Sequence, residues 1–113
     1  MNRNSLSTDQ ELRPGESLMS LNGNYKAILQ TDGNFVVYGW TPLWASDTWN
    51  KDSHRLIMQS DGNLVIYNKE SQPIWASDTC SNETSQKMRL TMQDDGRLVL
   101  SKDGNEIWAA EKK

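Results

Sequence analysis

Nine residues, Gln30-Thr31-Asp32-Gly33-Asn34-Phe35-Val36-Val37-Tyr38, return as Gln59-Ser60-Asp61-Gly62-Asn63-Leu64-Val65-Ile66-Tyr67 and, more loosely, as Gln93-Asp94-Asp95-Gly96-Arg97-Leu98-Val99-Leu100-Ser101. The starts lie 29 and 34 residues apart. A second block follows each one: Pro42-Leu43-Trp44-Ala45-Ser46-Asp47-Thr48, Pro73-Ile74-Trp75-Ala76-Ser77-Asp78-Thr79, and Glu106-Ile107-Trp108-Ala109-Ala110. One unit is thus written three times, around residues 20–50, 51–82 and 83–113, and any fold for this chain has to place three equivalent pieces about one centre.

Within a unit the apolar period is two, not that of a helix. Phe35 and Val37 fall on one side of an extended segment, and Asn34, Val36 and Tyr38 on the other. The approaches to each Gln are extended in character too: Tyr25 to Leu29, Leu56 to Met58 and Met88 to Met92. Asp-Gly stands between the two runs at 32–33, 61–62 and 95–96, where a tight hairpin turn needs a residue that accepts positive φ. Each unit therefore reads as a hairpin followed by a Trp-bearing strand, and the chain as all-β. One unit cannot bury its apolar side alone. Three can, as a three-sided prism with pseudo-threefold symmetry in a single domain over 1–113. The segment from Leu6 to Leu21 and the end of the chain then have to supply the remaining strands.

Leu, Ile, Val and Phe make up only about a fifth of the 113 residues, a composition bordering on that of disordered chains. Five Trp and three Tyr argue the other way, because they supply large surfaces to bury. Trp44, Trp75 and Trp108, equivalent in all three units, are expected in the core, whereas Trp40 and Trp49 fall outside the repeat. A net charge of −3 argues against a nucleic-acid partner. No apolar run approaches the roughly 18 residues of a membrane helix, so no membrane insertion is expected, and the polar start Met1 to Ser5 does not read as an export leader. The single cysteine, Cys80, excludes an internal disulfide framework and a cysteine-based zinc site, and is expected to be a partly buried free thiol.

No metal or other cofactor is expected, since the Asp-Gly-Asn turns offer too few acidic oxygens for the about six to eight that calcium takes. Nor is catalysis: Asp32, Asp61 and Asp95 sit singly on separate units rather than as the carboxylate pair of a glycosidase, and His54, the only histidine, has no nucleophile at a telling spacing. Asn82-Glu83-Thr84 is a formal glycosylation sequon, read here as a loop.

The outward side carries the functional signal. A merely solvated strand holds interchangeable polar residues, yet two copies share the same five: Gln, Asp, Asn, Val and Tyr. Together they offer an obligate acceptor, two amides that donate and accept, a phenol and a small apolar patch. A ring of adjacent hydroxyls is the natural complement, because each hydroxyl can donate to a carboxylate while accepting from an amide. Sugars fit this set better than nucleotides or lipids.

The thrice-repeated Gln-x-Asp-x-Asn-x-Val-x-Tyr, with Trp-Ala-Ser-Asp-Thr between copies, resembles the bulb-type mannose-binding lectins first described in monocots. The resemblance covers about Leu6 to Lys113 and implies the β-prism II fold of three four-stranded antiparallel sheets. Tyr38-Gly39-Trp40 and the missing leader look most like the fish members of the family, found at skin and gut mucosal surfaces. By the resemblance, Asp32 and Asn34 hold the axial O2 of mannose, Gln30 holds O3, Tyr38 holds O4, and Val36 meets the C3–C4 edge. Gln59, Asp61, Asn63, Val65 and Tyr67 repeat these roles. The third copy keeps Gln93, Asp95 and Val99 but has Arg97 for Asn and Ser101 for Tyr, so it is expected to be dead or altered, with the Arg97 charge against the remaining carboxylate.

The family disulfide falls here on Gly33 and His54, so that tie is expected to be missing. Family members usually dimerise by exchanging C-terminal strands, which implies a homodimer trading Glu106 to Lys113. Multivalent binding of mannose-rich glycans and glycoproteins, and with it agglutination and mucosal innate defence outside the cell, is the implied function; the missing leader leaves a cytoplasmic pool open. The rival reading is a protein-interaction module on the same fold with vestigial sugar pockets.

Overall fold

The structure, a computed structural model, describes residues 3–110. Among them are twelve strands and no helix. Three short ones come first: β1 (Ser5–Ser7), β2 (Glu11–Leu12) and β3 (Ser17–Met19). The first repeat supplies β4 (Lys26–Leu29), β5 (Phe35–Tyr38) and β6 (Pro42–Ala45). The second supplies β7 (Ser53–Met58), β8 (Leu64–Asn68) and β9 (Pro73–Ala76), and the third β10 (Met88–Met92), β11 (Leu98–Lys102) and β12 (Asn105–Ala110). They form three four-stranded sheets in the orders β3-β4-β5-β6, β2-β7-β8-β9 and β1-β10-β11-β12, with every pair antiparallel. This is the prism that the repeat demands.

The segment before the first repeat is divided among all three sheets. Leu6, Leu12 and Leu18, each six residues from the next, are fully buried and pair in register with Leu90, Leu56 and Ala27. Between these strands the chain turns at residues of positive φ, Asp9 at 66° and Gly15 at 91°. One strap thereby ties the three repeats together, each through a single leucine.

Inside, the alternation separates the two sides of every central strand. Phe35, Val37, Leu64, Ile66, Leu98 and Leu100 are fully buried. Trp44, Trp75 and Trp108, expected in the core, are only partly buried: they pack against it and meet edge to face, with ring centroids 5.7–5.8 Å apart and planes 68–79° from one another. Such aromatic pairs contribute about 0.5–1.5 kcal/mol beyond the area they bury. Phe35 adds a further edge contact to Trp44 at 6.1 Å.

Each hairpin turns identically. Gly33, Gly62 and Gly96 have φ of 94°, 91° and 89°, and their amides donate to the carbonyls of Gln30, Gln59 and Gln93. The Gln amides in turn donate to the carbonyls of Asn34, Asn63 and Arg97 at 2.8–3.0 Å. This three-residue loop with a left-handed third residue is a standard way to close a hairpin. Each Trp-bearing strand also shifts register at one place, between Val37 and Tyr38, Ile66 and Tyr67, and Leu100 and Ser101. Bulges of this kind re-aim side chains next to functional sites.

Replacing Leu12 with alanine removes one leg of the strap and is expected to cost about 2–5 kcal/mol in urea unfolding. The exposed Leu21, changed the same way, is expected to stay within about 0.5 kcal/mol. Equal effects at the two positions would show that the strap does not hold the sheets.

Candidate functional site

The period of two that buries Phe35 and Val37 places Val36 and Tyr38 on the outer face of β5, with Gln30, Asp32 and Asn34 on the turn that precedes it. In the second copy all five predicted residues, Gln59, Asp61, Asn63, Val65 and Tyr67, line one open groove of about 480 Å³, completed by Pro73, Trp75, Ala76 and Asp78. In the first, Gln30 and Tyr38 border a groove of about 530 Å³ that runs toward Lys26 and Met19. Asp32 borders another of about 460 Å³, formed with Trp49, Asn50, Asp52 and Ser53. Val36 and Val65 are only 4% and 3% exposed, so they form the floor of the ledge.

Hydrogen bonds fix how these side chains point. One carboxylate oxygen of Asp32 accepts from the Asn34 amide at 2.9 Å, as Asp61 does from Asn63 at 2.9 Å and Asp95 from Arg97 at 3.1 Å. The Asn34 Oδ1 accepts from the Thr48 backbone amide at 3.2 Å, with the Ser46 hydroxyl beside it at 3.4 Å; the single hydrogen of that hydroxyl goes to the Thr48 hydroxyl at 2.8 Å, since Thr48 donates its own to the Gly33 carbonyl. Asn63 repeats this with the Thr79 amide at 3.3 Å and the Ser77 hydroxyl at 3.2 Å. Ser46 and Ser77 also accept from the Phe35 and Leu64 amides at 3.1 and 3.0 Å.

With Oδ1 engaged, each asparagine is left with its NH₂ group to offer a ligand. Gln30 and Gln59 lie against the hydroxyls of Tyr38 and Tyr67. With its oxygen toward Tyr38, Gln30 donates to the two carboxylate oxygens of Asp32 at 3.2 and 3.3 Å. Amide, carboxylate and phenol thus form one connected ledge.

The sequence did not assign a role to Ser46, Thr48, Ser77 or Thr79. The signal was present: Ser-Asp-Thr follows Trp-Ala in the two intact copies and not in the third, where Ala110 stands in place of the serine. The third turn is otherwise kept, and the Arg97 guanidinium bonds Glu106 at 2.7 Å. Ser101 lies beside a cavity of about 350 Å³ that includes Lys87 and Arg89.

Gly33 lies where the resemblance implies a disulfide cysteine. Its carbonyl accepts from the Thr48 and Ser53 hydroxyls, both at 2.7 Å, and Ser53 adjoins His54, the other disulfide position. A side chain at Gly33 would also bring its Cβ to 2.9 Å from the Thr48 carbonyl. Hydrogen bonds hold this corner without a covalent tie. His54 is a β7 residue whose Nε2 accepts from Arg13 at 2.9 Å.

Cys80, expected to be partly buried, is exposed, because it follows the last anchored residue of its block, Thr79, and enters the loop to β10. Trp40, 103% exposed, and Trp49, 62%, both face solvent. Trp40 stands at the tip of the turn beside Tyr38.

A three-sheet prism bearing two rigid ledges of amide, carboxylate and phenol is the framework of a carbohydrate-binding lectin. Residues 41–111 match the family described as D-mannose binding lectin. The chain is 50% identical to the B-type lectin plumieribetin of the fish Scorpaena plumieri over 96% of both chains. It therefore belongs to the bulb-type, D-mannose binding lectin family, whose members are carbohydrate-binding proteins rather than enzymes.

Among solved structures, the mannose-specific agglutinin of snowdrop (Galanthus nivalis) bulbs, complexed with methyl-α-D-mannoside, superposes with a TM-score of 0.79 at 36% identity over 93% of each chain. A monomeric monocot mannose-binding lectin from Gastrodia elata gives 0.80 at 38% identity, over 95% of this chain and 96% of that one. These are the β-prism II proteins that the repeat resembles.

Ser53→Ala, which frees one of two donors to the Gly33 carbonyl, is expected to lower stability by about 1 kcal/mol in urea unfolding. A reductant is expected to leave the wild-type midpoint in place, and Cys80 to react with a thiol reagent in the native state as fast as in urea.

Proposed function

We propose that this protein binds mannose at two sites, one made of Gln30, Asp32, Asn34, Val36 and Tyr38 and the other of Gln59, Asp61, Asn63, Val65 and Tyr67. The third set, Gln93, Asp95, Arg97, Val99 and Ser101, has lost this capacity. One observation carries the reading. In both intact copies the Asn Oδ1 accepts from the Thr backbone amide with the Ser hydroxyl beside it, which turns the donor NH₂ outward beside a carboxylate. A sugar hydroxyl placed there donates to Asp and accepts from Asn. Complexes of relatives with mannosides support the choice of sugar.

A shallow ledge making about four hydrogen bonds binds weakly, on the order of millimolar or roughly −4 kcal/mol. Useful avidity then comes from several sites engaging one glycan surface. Two sites per chain, doubled in a homodimer, give four. In the structure β12 pairs with its own β11; exchange of this strand between two chains would form the same ladder across the dimer. Of the segment implied to exchange, residues 111–113 lie outside the described residues. Cross-linking of mannose-rich glycans and glycoproteins at an extracellular mucosal surface, with agglutination and innate defence as the outcome, is the role this valence serves. An interaction module with vestigial pockets would have no reason to keep both Asn-Ser-Thr networks while the third decayed.

In calorimetric titration with methyl-α-mannoside, Asn34→Ala combined with Asn63→Ala is expected to abolish binding without lowering the melting temperature by more than a few degrees. Ser46→Ala with Ser77→Ala, which removes the hydroxyl packed beside each asparagine but leaves the Thr backbone amides in place, is expected to weaken binding about three- to tenfold, the equivalent of roughly 1 kcal/mol per lost hydrogen bond. Unchanged binding in the asparagine double variant removes the mannose reading.

A further inference from the structure

Four residues before the Gln of every motif stands a cation: Lys26, Arg55 and Arg89. The strand register sets each one directly across from the last residue of its motif, Lys26 from Tyr38, Arg55 from Tyr67 and Arg89 from Ser101. Three other surface cations are matched by carboxylates, Arg13 by Glu11, Lys69 by Asp52 and Arg97 by Glu106. Among the described residues none of the three register cations has an ion pair, although the chain is acidic overall.

Lys26 is half-buried and walls the groove of about 530 Å³ that also takes in Gln30 and Tyr38. Arg55, also half-buried, lies over the Tyr67 ring with its guanidinium carbon 5.6 Å from the centroid. Each intact ledge therefore has two ends of opposite sign: a carboxylate at the turn, which accepts from hydroxyls and repels anions, and an unneutralised cation beside the phenol.

We propose that the two intact sites prefer mannose carrying an anionic ester, phosphate or sulfate, over neutral mannose, with Lys26 and Arg55 taking the charge. This rests on the mannose reading above. The primary C6 hydroxyl projects beyond the ring, next to the O4 that Tyr38 would hold. A 6-ester leaves the ring hydroxyls to the Asp and Asn and carries its charge past the tyrosine toward the cation. Hydrogen bonds from an ammonium or guanidinium to such an oxyanion are roughly twice as strong as neutral ones, and the arginine fork can meet two of its oxygens at once. The polarity of the ledge also fixes which way round an anionic sugar lies.

The test is calorimetric titration of the full chain with methyl-α-mannoside, its 6-phosphate and its 6-sulfate, with glucose 6-phosphate as the charge-only control. At low ionic strength the 6-esters are expected to bind about three- to tenfold tighter than the neutral mannoside. Added salt should shrink this advantage. In Lys26→Gln combined with Arg55→Gln the ratio should fall to about one, and because each ratio is taken within one preparation, a loss of stability does not imitate it.

An advantage confined to one of the two esters supports the proposal and names the anion. Esters no tighter than the neutral mannoside in the wild type overturn it, as does a preference that survives in the double variant, or glucose 6-phosphate binding as tightly as the mannose ester. If the neutral mannoside itself fails to bind, what falls is the mannose reading, and this proposal with it.

Discussion

The edge-to-face contact of Trp44, Trp75 and Trp108 is where three repeats become one molecule. Each ring comes from the last strand of a different sheet, and each sits in register opposite a buried central-strand residue, Val37, Ile66 or Leu100. Removing a ring of this size from a core typically costs about 3–5 kcal/mol, and less from these partly buried positions. The register it sets reaches further. Two residues after Trp44 and Trp75 come Ser46 and Ser77, whose amides continue the ladder to the Phe35 and Leu64 carbonyls at 2.9 Å. Their hydroxyls then fall against Asn34 and Asn63. The packing at the centre thus sets the amides on the surface, and the ledges inherit their rigidity from the core.

At the turn the same residues serve the fold and, in the proposed function, the ligand. One oxygen of Asp32 closes the turn by accepting from the Asn34 amide, and the Asp95 side chain does the same for Arg97 in a copy whose asparagine and tyrosine positions hold Arg97 and Ser101. The recurrence of Asp across three units is therefore explained by folding alone. Asn and Ser behave differently: Arg97 and Ala110 replace them together, and Ser101 replaces the tyrosine. A side chain required by the hairpin persists, whereas side chains required only to aim an amide are lost as a set. On the proposed function, that contrast separates Asp, which the hairpin uses, from the Asn, Ser and Tyr of the ledge, within a single chain.

The three hairpins, the Trp-bearing strands and the two ledges were legible because they recur at fixed spacing and because a strand's period of two separates inside from outside. The division of the strap among three sheets was not. Its strands are two or three residues long, too short to show alternation, and its only trace is Leu6, Leu12 and Leu18 at an interval of six. Nor were the hydrogen bonds of Thr48 and Ser53 to Gly33, since they join residues 15 and 20 positions apart. Cys80 was misjudged for a related reason. Residue type favours burial of a free cysteine, but its place just past an anchored block put it on the surface.

Because core and recognition lie on opposite sides of the same strands, they can change independently. Tyr25 shows how tightly the inner arrangement is held: its ring packs so closely on Gly96 that a Cβ there would come within 2.9 Å of it, which links the first repeat to the turn of the third. A side chain at Gly96 would have to displace that ring and also adopt a φ of 89°, while the outward positions of the same copy are Arg97 and Ser101. A prism can thus lose a ledge without losing a sheet. The reverse does not hold, for a ledge whose backbone is misplaced by one residue turns every polar group inward. On the proposed function, the number of complete ledges can vary while the architecture beneath them cannot.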